Sequence, residues 1–257
     1  MVLAATTACH HGGPPIRFAP EGTSVDRLRA EFALTPAERA SLTPDTLKRF
    51  TQAQLDQIYD RLSPGAIPDG PFRGDLFFPR GGPEPKTVQE VAPSPSPSVA
   101  SSDVLTMPIE KLGHAFWKGK VFFKSEGILR NRIEDLAILK PLIKDSASIP
   151  KLTFDGDTTW LLFPAQVTCG SSAHDPSRHA ILIDYSKGPQ IQGYREIPDK
   201  LAGPDGFDIH DEVRVVRPGL YLGRASFHGQ FRLNFTLVKP DAPTTAPDAS
   251  VDADCTS

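Results

Sequence analysis

Apolar and polar residues alternate most strictly towards the end of the chain. Phe231, Leu233, Phe235 and Leu237 are interleaved with Arg232, Asn234 and Thr236, the period of two expected of a half-buried strand. Turn residues at Arg217-Pro218-Gly219 and His228-Gly229-Gln230 divide residues 207–238 into three consecutive strands. Further strands are predicted at Phe72–Phe78, Trp117–Phe123, Ile128–Ile133, Lys151–Phe154, Thr158–Val167 and Ala180–Tyr185. Lys124-Ser125-Glu126-Gly127 and Asp155-Gly156-Asp157 join four of them as hairpins, the second through a strong turn signal. Residues 138–143 suit a strand or a helical turn. Trp160, Leu161, Leu162 and Phe163 are apolar on both strand faces, so this strand should lie between two apolar layers.

The period changes before the first strand. Leu47, Phe50, Leu55, Ile58, Tyr59 and Leu62 fall close to helical spacing, with Lys48, Gln52, Gln54, Asp56 and Asp60 opposite. Thr35-Pro36-Ala37-Glu38 is a capping box with proline at the first helical position, and Thr43-Pro44 repeats the start signal. A break is expected near Phe50-Thr51, and Ser63-Pro64-Gly65 ends the run. These helices should pack on the strand domain or plug one of its ends. Residues 79–102 contain a Pro-Ser repeat and read as a flexible loop. A short helix suits residues 104–116.

Consecutive strands with short connections favour antiparallel pairing, and closure removes exposed edges. The expected fold is therefore mainly β: an antiparallel up-and-down barrel of about eight strands, wide enough for packed side chains or one small ligand, with an N-terminal helical segment. The chain divides into a leader or tether at 1–23, helices at 24–63, the barrel at 64–240 and a disordered tail at 241–257.

Composition narrows the function classes. A net charge of -3 over 257 residues lacks the basic field of a nucleic-acid binder. The 26 prolines cluster outside the strands, which fits a compact core with loose additions. No run approaches the roughly 18 apolar residues of a membrane-spanning helix. A nucleophile elbow, a P-loop, a dinucleotide fingerprint and zinc-module cysteine spacing are all missing, so no cofactor or metal is assigned. His174, Asp175 and His179 share a polar loop without a further ligand cluster.

Several short motifs occur in order: Arg73-Gly74, Trp117-Lys118-Gly119-Lys120, Asn131-Arg132, Ile183-Asp184-Tyr185, Asp211-Glu212-Val213 and Pro218-Gly219-Leu220-Tyr221-Leu222-Gly223-Arg224. Over about residues 63–239 the chain resembles a group of bacterial lipocalin-like, or calycin-like, barrel proteins. That resemblance implies the barrel architecture and carries no activity with it.

Polar residues inside strands are the candidates for chemistry, because a charge inside a small barrel is costly unless paired. They are Arg73, Lys120, Asn131, Arg132, Asp184, Asp211, Glu212, Arg214, Arg224 and Asn234. The ligand-binding candidates are Arg73, Trp117, Asn131, Arg132, Trp160, Asp184, Tyr185, Asp211, Tyr221 and Arg224. The aromatic residues, with Phe163, would line a cavity. Arg132 or Arg224 would meet the polar end of a ligand, since a guanidinium forks onto a carboxylate or phosphate. The bland alternative is that these charges form structural ion pairs or face outward.

Cys9 follows a run of small residues like the lipidated cysteine of a bacterial lipoprotein, although Thr6 stands where an aliphatic residue is usual and the charged n-region is missing. Lipidation at Cys9 would leave Cys169 and Cys255 as an even pair, able to form a disulfide in an oxidising compartment. The expectation is a non-enzymatic, periplasm-facing envelope lipoprotein, attached by a lipid anchor, whose barrel binds a small lipophilic ligand. The alternatives are a packed barrel with partner-docking helices, an enzyme using the internal carboxylates Asp184 and Asp211, and a cytoplasmic location. A cavity above roughly 300 Å³ would favour ligand binding.

Overall fold

The computed structural model describes residues 14–78, 80, 86–91, 108, 116–139, 143, 145–242 and 255. Cys9 with the leader, most of the Pro-rich loop, nearly all of residues 104–116 and most of the tail lie outside the described residues.

The strands are β1 (Gly70–Phe77), β2 (Trp117–Phe123), β3 (Ile128–Ile133), β4 (Lys151–Phe154), β5 (Asp157–Ser171), β6 (His179–Asp184), β7 (Ile209–Arg217), β8 (Leu220–Phe227) and β9 (Gln230–Val238). All pair antiparallel in the order β3-β2-β1-β9-β8-β7-β6-β5-β4, and β3 also pairs with β5. The second pairing closes an eight-stranded barrel and leaves β4 as an extra strand. Closure runs from Ile128 opposite Gln166 to Ile133 opposite Trp160. β5 is 15 residues long, so its first part holds β4 and its last part holds β6 while its middle closes the barrel. Residues 137–139 form a 3-10 turn.

The closing seam carries a bulge, where β3 and β5 change register between Leu129 and Asn131. Pro164 interrupts β5 at this point, and a bulge is where a strand tolerates proline. Phe163 beside it has φ 52°, a strained left-handed conformation for a bulky residue. Two contacts hold it. The Phe163 N–H donates to Asp199 Oδ1 at 2.7 Å, and the Phe163 carbonyl accepts from Asn131 Nδ2 at 3.0 Å.

The barrel interior has two zones. At one end Phe72, Phe122, Leu129, Val213, Tyr221 and Leu237 fill it, with Phe72 edge-on to Phe122 and Tyr221. At the other end the same strands enclose a cavity. Gly223 helps shape the boundary: a Cβ there would lie 2.2 Å from the Phe235 ring, so only glycine lets that ring lie flat against β8.

Four helices cover part of the outside: α1 (Val25–Glu31), α2 (Pro36–Ser41), α3 (Pro44–Leu47) and α4 (Gln52–Arg61). The expected capping box at Thr35 and helix start at Thr43 are formed, and Thr43 and Thr51 each make a capping box as well. Leu47, Leu55, Ile58, Tyr59 and Leu62 bury their side chains against Phe77, Val216, Leu220 and Leu222 on the outer face of the strands. The helices therefore lie on the barrel wall. Arginines tie them down. The guanidinium of Arg214 donates to the Tyr59 carbonyl at 3.1 Å, and Arg178 donates to the carbonyls of Asp60 and Leu62. These carbonyls lie at the end of α4, where the Tyr59 carbonyl also accepts from the Leu62 N–H at 3.0 Å, so the cations add to the hydrogen bonding of the helix terminus and complement its dipole.

The tail returns to the barrel. Cys255 is buried and forms a disulfide with Cys169 of β5, closing a loop of 86 residues with Cα atoms 5.6 Å apart.

Candidate functional site

The cavity has a volume of about 140 Å³. Leu76, Phe116, Leu201, Phe207, Phe227 and Leu233 contribute to its walls and rim. Its floor is polar and sits where the open zone meets the packed zone. Lys120 comes from β2, Asn131 from β3, Asp211 from β7, and Tyr185 follows the end of β6. Strand alternation puts all four inside. Lys120 stands opposite Asn131 across the β2–β3 pair, and Asp211 stands opposite Ile183, two residues before Tyr185.

The four side chains satisfy one another. Lys120 Nζ donates to Tyr185 Oη at 2.6 Å, to Asp211 Oδ2 at 2.9 Å and to Asn131 Oδ1 at 3.0 Å. An ammonium has three protons, and all three are used. Tyr185 Oη lies 3.2 Å from Asp211 Oδ2 and donates to it. The indole N–H of Trp117 donates to Asn131 Oδ1 at 2.9 Å. The rings of Trp117, Tyr185 and Phe235 stand 5.3–5.4 Å from Lys120 Nζ, where their negative faces attract the cation. Both hydrogen bonds to Asp211 use Oδ2. Among the described residues Oδ1 accepts none, and Asp211 borders the cavity.

Burial sets the electrostatics. The Lys120 and Asp211 side chains are 2% and 5% exposed. Desolvation lowers the lysine pKa, opposed by the attraction and hydrogen bond of Asp211. Desolvation, with the Asp211 charge, pushes the Tyr185 phenol well above its ordinary range, so it remains protonated and able to donate. The site thus presents a proton-bearing phenol, an amine paired to a carboxylate and one open carboxylate oxygen beneath an apolar space.

The structure brings together Trp117, Asn131, Tyr185 and Asp211 of the ligand-binding candidates, and Phe163, expected as a lining residue, borders the cavity with them. The other six ligand-binding candidates lie elsewhere. Tyr221 belongs to the packed zone, and its hydroxyl donates to the Ala66 carbonyl. Trp160 packs against the core without bordering the cavity. Arg73 is exposed and pairs with Asp155. Arg132 points outward from β3, bonded to Thr159 and to the carbonyls of Phe72, Lys118 and Phe154. Asp184 caps the turn after β6 through the Ser186 N–H. Arg224 lies under α4, paired with Asp56 and close to Glu212. The period of two explains these placements: Arg132 follows the inward Asn131, Arg224 precedes the inward Ala225, and Asp184 precedes the inward Tyr185. The cation that borders the cavity is Lys120, and neither Arg132 nor Arg224 does. Asp184 and Asp211 face opposite sides of the wall and make no carboxylate pair.

A larger cleft of about 490 Å³ lies between the helices and includes Arg29, Arg39 and Arg61. It is an open groove of mixed polarity, whereas the barrel cavity combines apolar walls with converging polar groups, the usual makeup of a ligand site.

Comparison with protein-family models, curated proteins and solved structures gives no match to this chain.

Proposed function

We propose that the barrel binds a small, largely apolar ligand with one polar end, seated on the floor formed by Lys120, Asp211, Asn131 and Tyr185. The observation that carries this reading is the buried Lys120–Asp211 pair at the base of an aromatic cavity. Removing two charges from water costs several kcal/mol per ion, and packed apolar residues often serve stability equally well. A charged floor beneath open space is therefore better suited to recognition than to holding the barrel together. The volume defines the ligand's size. At about 140 Å³ the cavity falls below the roughly 300 Å³ of drug-sized sites. It is close to the ~150 Å³ that accepts benzene in an apolar core. The ligand is ring-sized.

The helices offer little to the competing partner-docking reading, because their apolar faces are already buried on the barrel. Among the described residues Ile197 is the one large apolar side chain left exposed. The same proposal places the protein in the bacterial cell envelope as a calycin-like lipoprotein anchored through Cys9. The small residues before Cys9 and the Cys169–Cys255 disulfide support that location, since disulfides persist in oxidising compartments. Cys9→Ser should abolish uptake of labelled fatty acid, and undiminished labelling would remove the anchor.

Native mass spectrometry of the full chain, purified from cells without detergent, tests the binding reading. The expected result is a reproducible added mass of ring-sized character, released by organic solvent. A bare protein mass, together with no saturation transfer to benzyl alcohol or similar ring compounds by NMR, would overturn it.

A further inference from the structure

The floor of the cavity has a composition that simple apolar binding does not need. A primary amine is held within 3.0 Å of a phenol, a carboxylate and a carboxamide, under aromatic walls. We infer that Lys120 captures a small aldehyde from the cavity as an imine, an inference that rests on the cavity-binding function proposed above.

The neighbouring groups suit each proton transfer. Asp211 Oδ2 takes a proton from the Lys120 ammonium at 2.9 Å, turning the ion pair into an amine and acid and freeing the nitrogen lone pair for attack. The freed electron pair on Nζ attacks the carbonyl carbon. The C–N bond forms, the carbonyl π electrons move to oxygen, and that oxygen takes the proton held by Asp211. A second proton leaves nitrogen by the same carboxylate and reaches the hydroxyl, which departs as water as the C=N bond forms. Three protons begin on nitrogen; two leave in the water and one stays on the iminium. The charge is unchanged, and the iminium remains opposite Asp211 without a new counterion. Tyr185, hydrogen-bonded to both Lys120 and Asp211, keeps amine and carboxylate in register.

The open oxygen of Asp211 also selects the ligand class. A carboxylate or phosphate approaching Lys120 would meet that negative charge, and like charges in a low-dielectric site repel strongly. A neutral carbonyl avoids this repulsion. With about 140 Å³ available, the ligand is a ring-sized or short-chain aldehyde.

The test treats the full chain with benzaldehyde and cyanoborohydride, followed by intact-mass measurement and peptide mapping. Reduction would trap the imine as an adduct equal to the aldehyde less one oxygen. Lys120 should be labelled on the order of 100-fold faster than exposed lysines such as Lys124, Lys151 and Lys239, because a positioned amine reacts at high effective molarity. Benzyl alcohol, the same ring without a carbonyl, should suppress this label and spare the surface sites. Lys120→Arg keeps the positive charge and should lose the label; the benzyl alcohol competition gives the same answer where that variant does not fold. If only surface lysines react while benzyl alcohol binds by NMR saturation transfer, the imine is overturned and the cavity reading stands. If neither reaction at Lys120 nor ring binding occurs, both are overturned.

Discussion

Glu38 shows how a single side chain holds the helical layer together. Its carboxylate accepts from the backbone N–H and hydroxyl of Thr35 at 2.8 and 2.9 Å, and from the backbone N–H and Nε of Arg17 at 3.2 Å each. Burial alone would raise its pKa; the Thr35 and Arg17 hydrogen bonds more than offset this and bring it from the ordinary 4.5 to about 2. A carboxylate whose pKa is lowered in the folded protein stabilises it above the unfolded pKa. That contribution disappears as the pH falls through the folded value. Arg17 is half exposed, so solvent screening limits the contribution to about 2 kcal/mol at neutral pH. Glu38→Gln should therefore lower stability in urea unfolding at pH 7, and the gap to the natural protein should narrow between pH 4.5 and about 2. A gap that stays constant over this range would show that the lost hydrogen-bond geometry, and not the charge, is responsible. The capping box at Thr35 was legible in the sequence. The Arg17 contacts were not, because Arg17 reaches Glu38 across 21 residues and no local pattern marks such a meeting.

At the level of elements, the strands were legible where alternation was strict. The three strands within residues 207–238 and the turns between them stand where the hydrophobic pattern put them. Which face points inward was harder to read, because β7 and β8 are buried on both sides. The barrel core covers one face and the helices cover the other, so Arg214 and Arg224 sit in strands with little exposed surface. The polarity of a residue then no longer reports its side. Lys120 reads as an internal polar residue in the sequence, yet the arginines look the better partners for a carboxylate or phosphate. The Lys120-to-Asp211 pairing spans 91 residues and becomes visible only once β2 and β7 face each other across the barrel. Arg214 has a different role. It is fully buried, stacks over the Tyr59 ring at 4.5 Å and donates to the carbonyls of Tyr59 and His179. Arg214→Ala should cost about 2 to 3 kcal/mol, the loss expected of charge-assisted hydrogen bonds. In hydrogen exchange, α4 should lose protection before β7 does. Equal loss in both would mean that the arginine supports the sheet and not the helix terminus.

For the whole molecule, barrel and helices form one connected body, to which Cys255 is tied. The helices bury apolar outer-wall residues, and the disulfide ties residue 255 to β5. In the chain-entropy account a cross-link closing 86 residues stabilises by about 4 to 5 kcal/mol. Cys255→Ser, or full reduction, should lower the unfolding free energy by most of that amount with the β signature of the circular dichroism unchanged at low temperature. An unchanged midpoint under strong reductant would show that the tail adds nothing to stability. The closed barrel could be anticipated from the number and spacing of the strands. The bulge that turns Phe163 into the cavity could not, since its strained backbone is set by Asp199 and Asn131, distant partners on either side of the closing seam.

The position of that cross-link also sets an order of events for a chain made from its N-terminus. Cys169 leaves the ribosome 86 residues ahead of Cys255. Throughout that interval β6 to β9 are being added, and Cys9 has already been made. A premature bond between Cys9 and Cys169 would tie Cys9 to β5. Any modification that consumes the Cys9 thiol early removes this competitor and favours the pairing of Cys169 with Cys255.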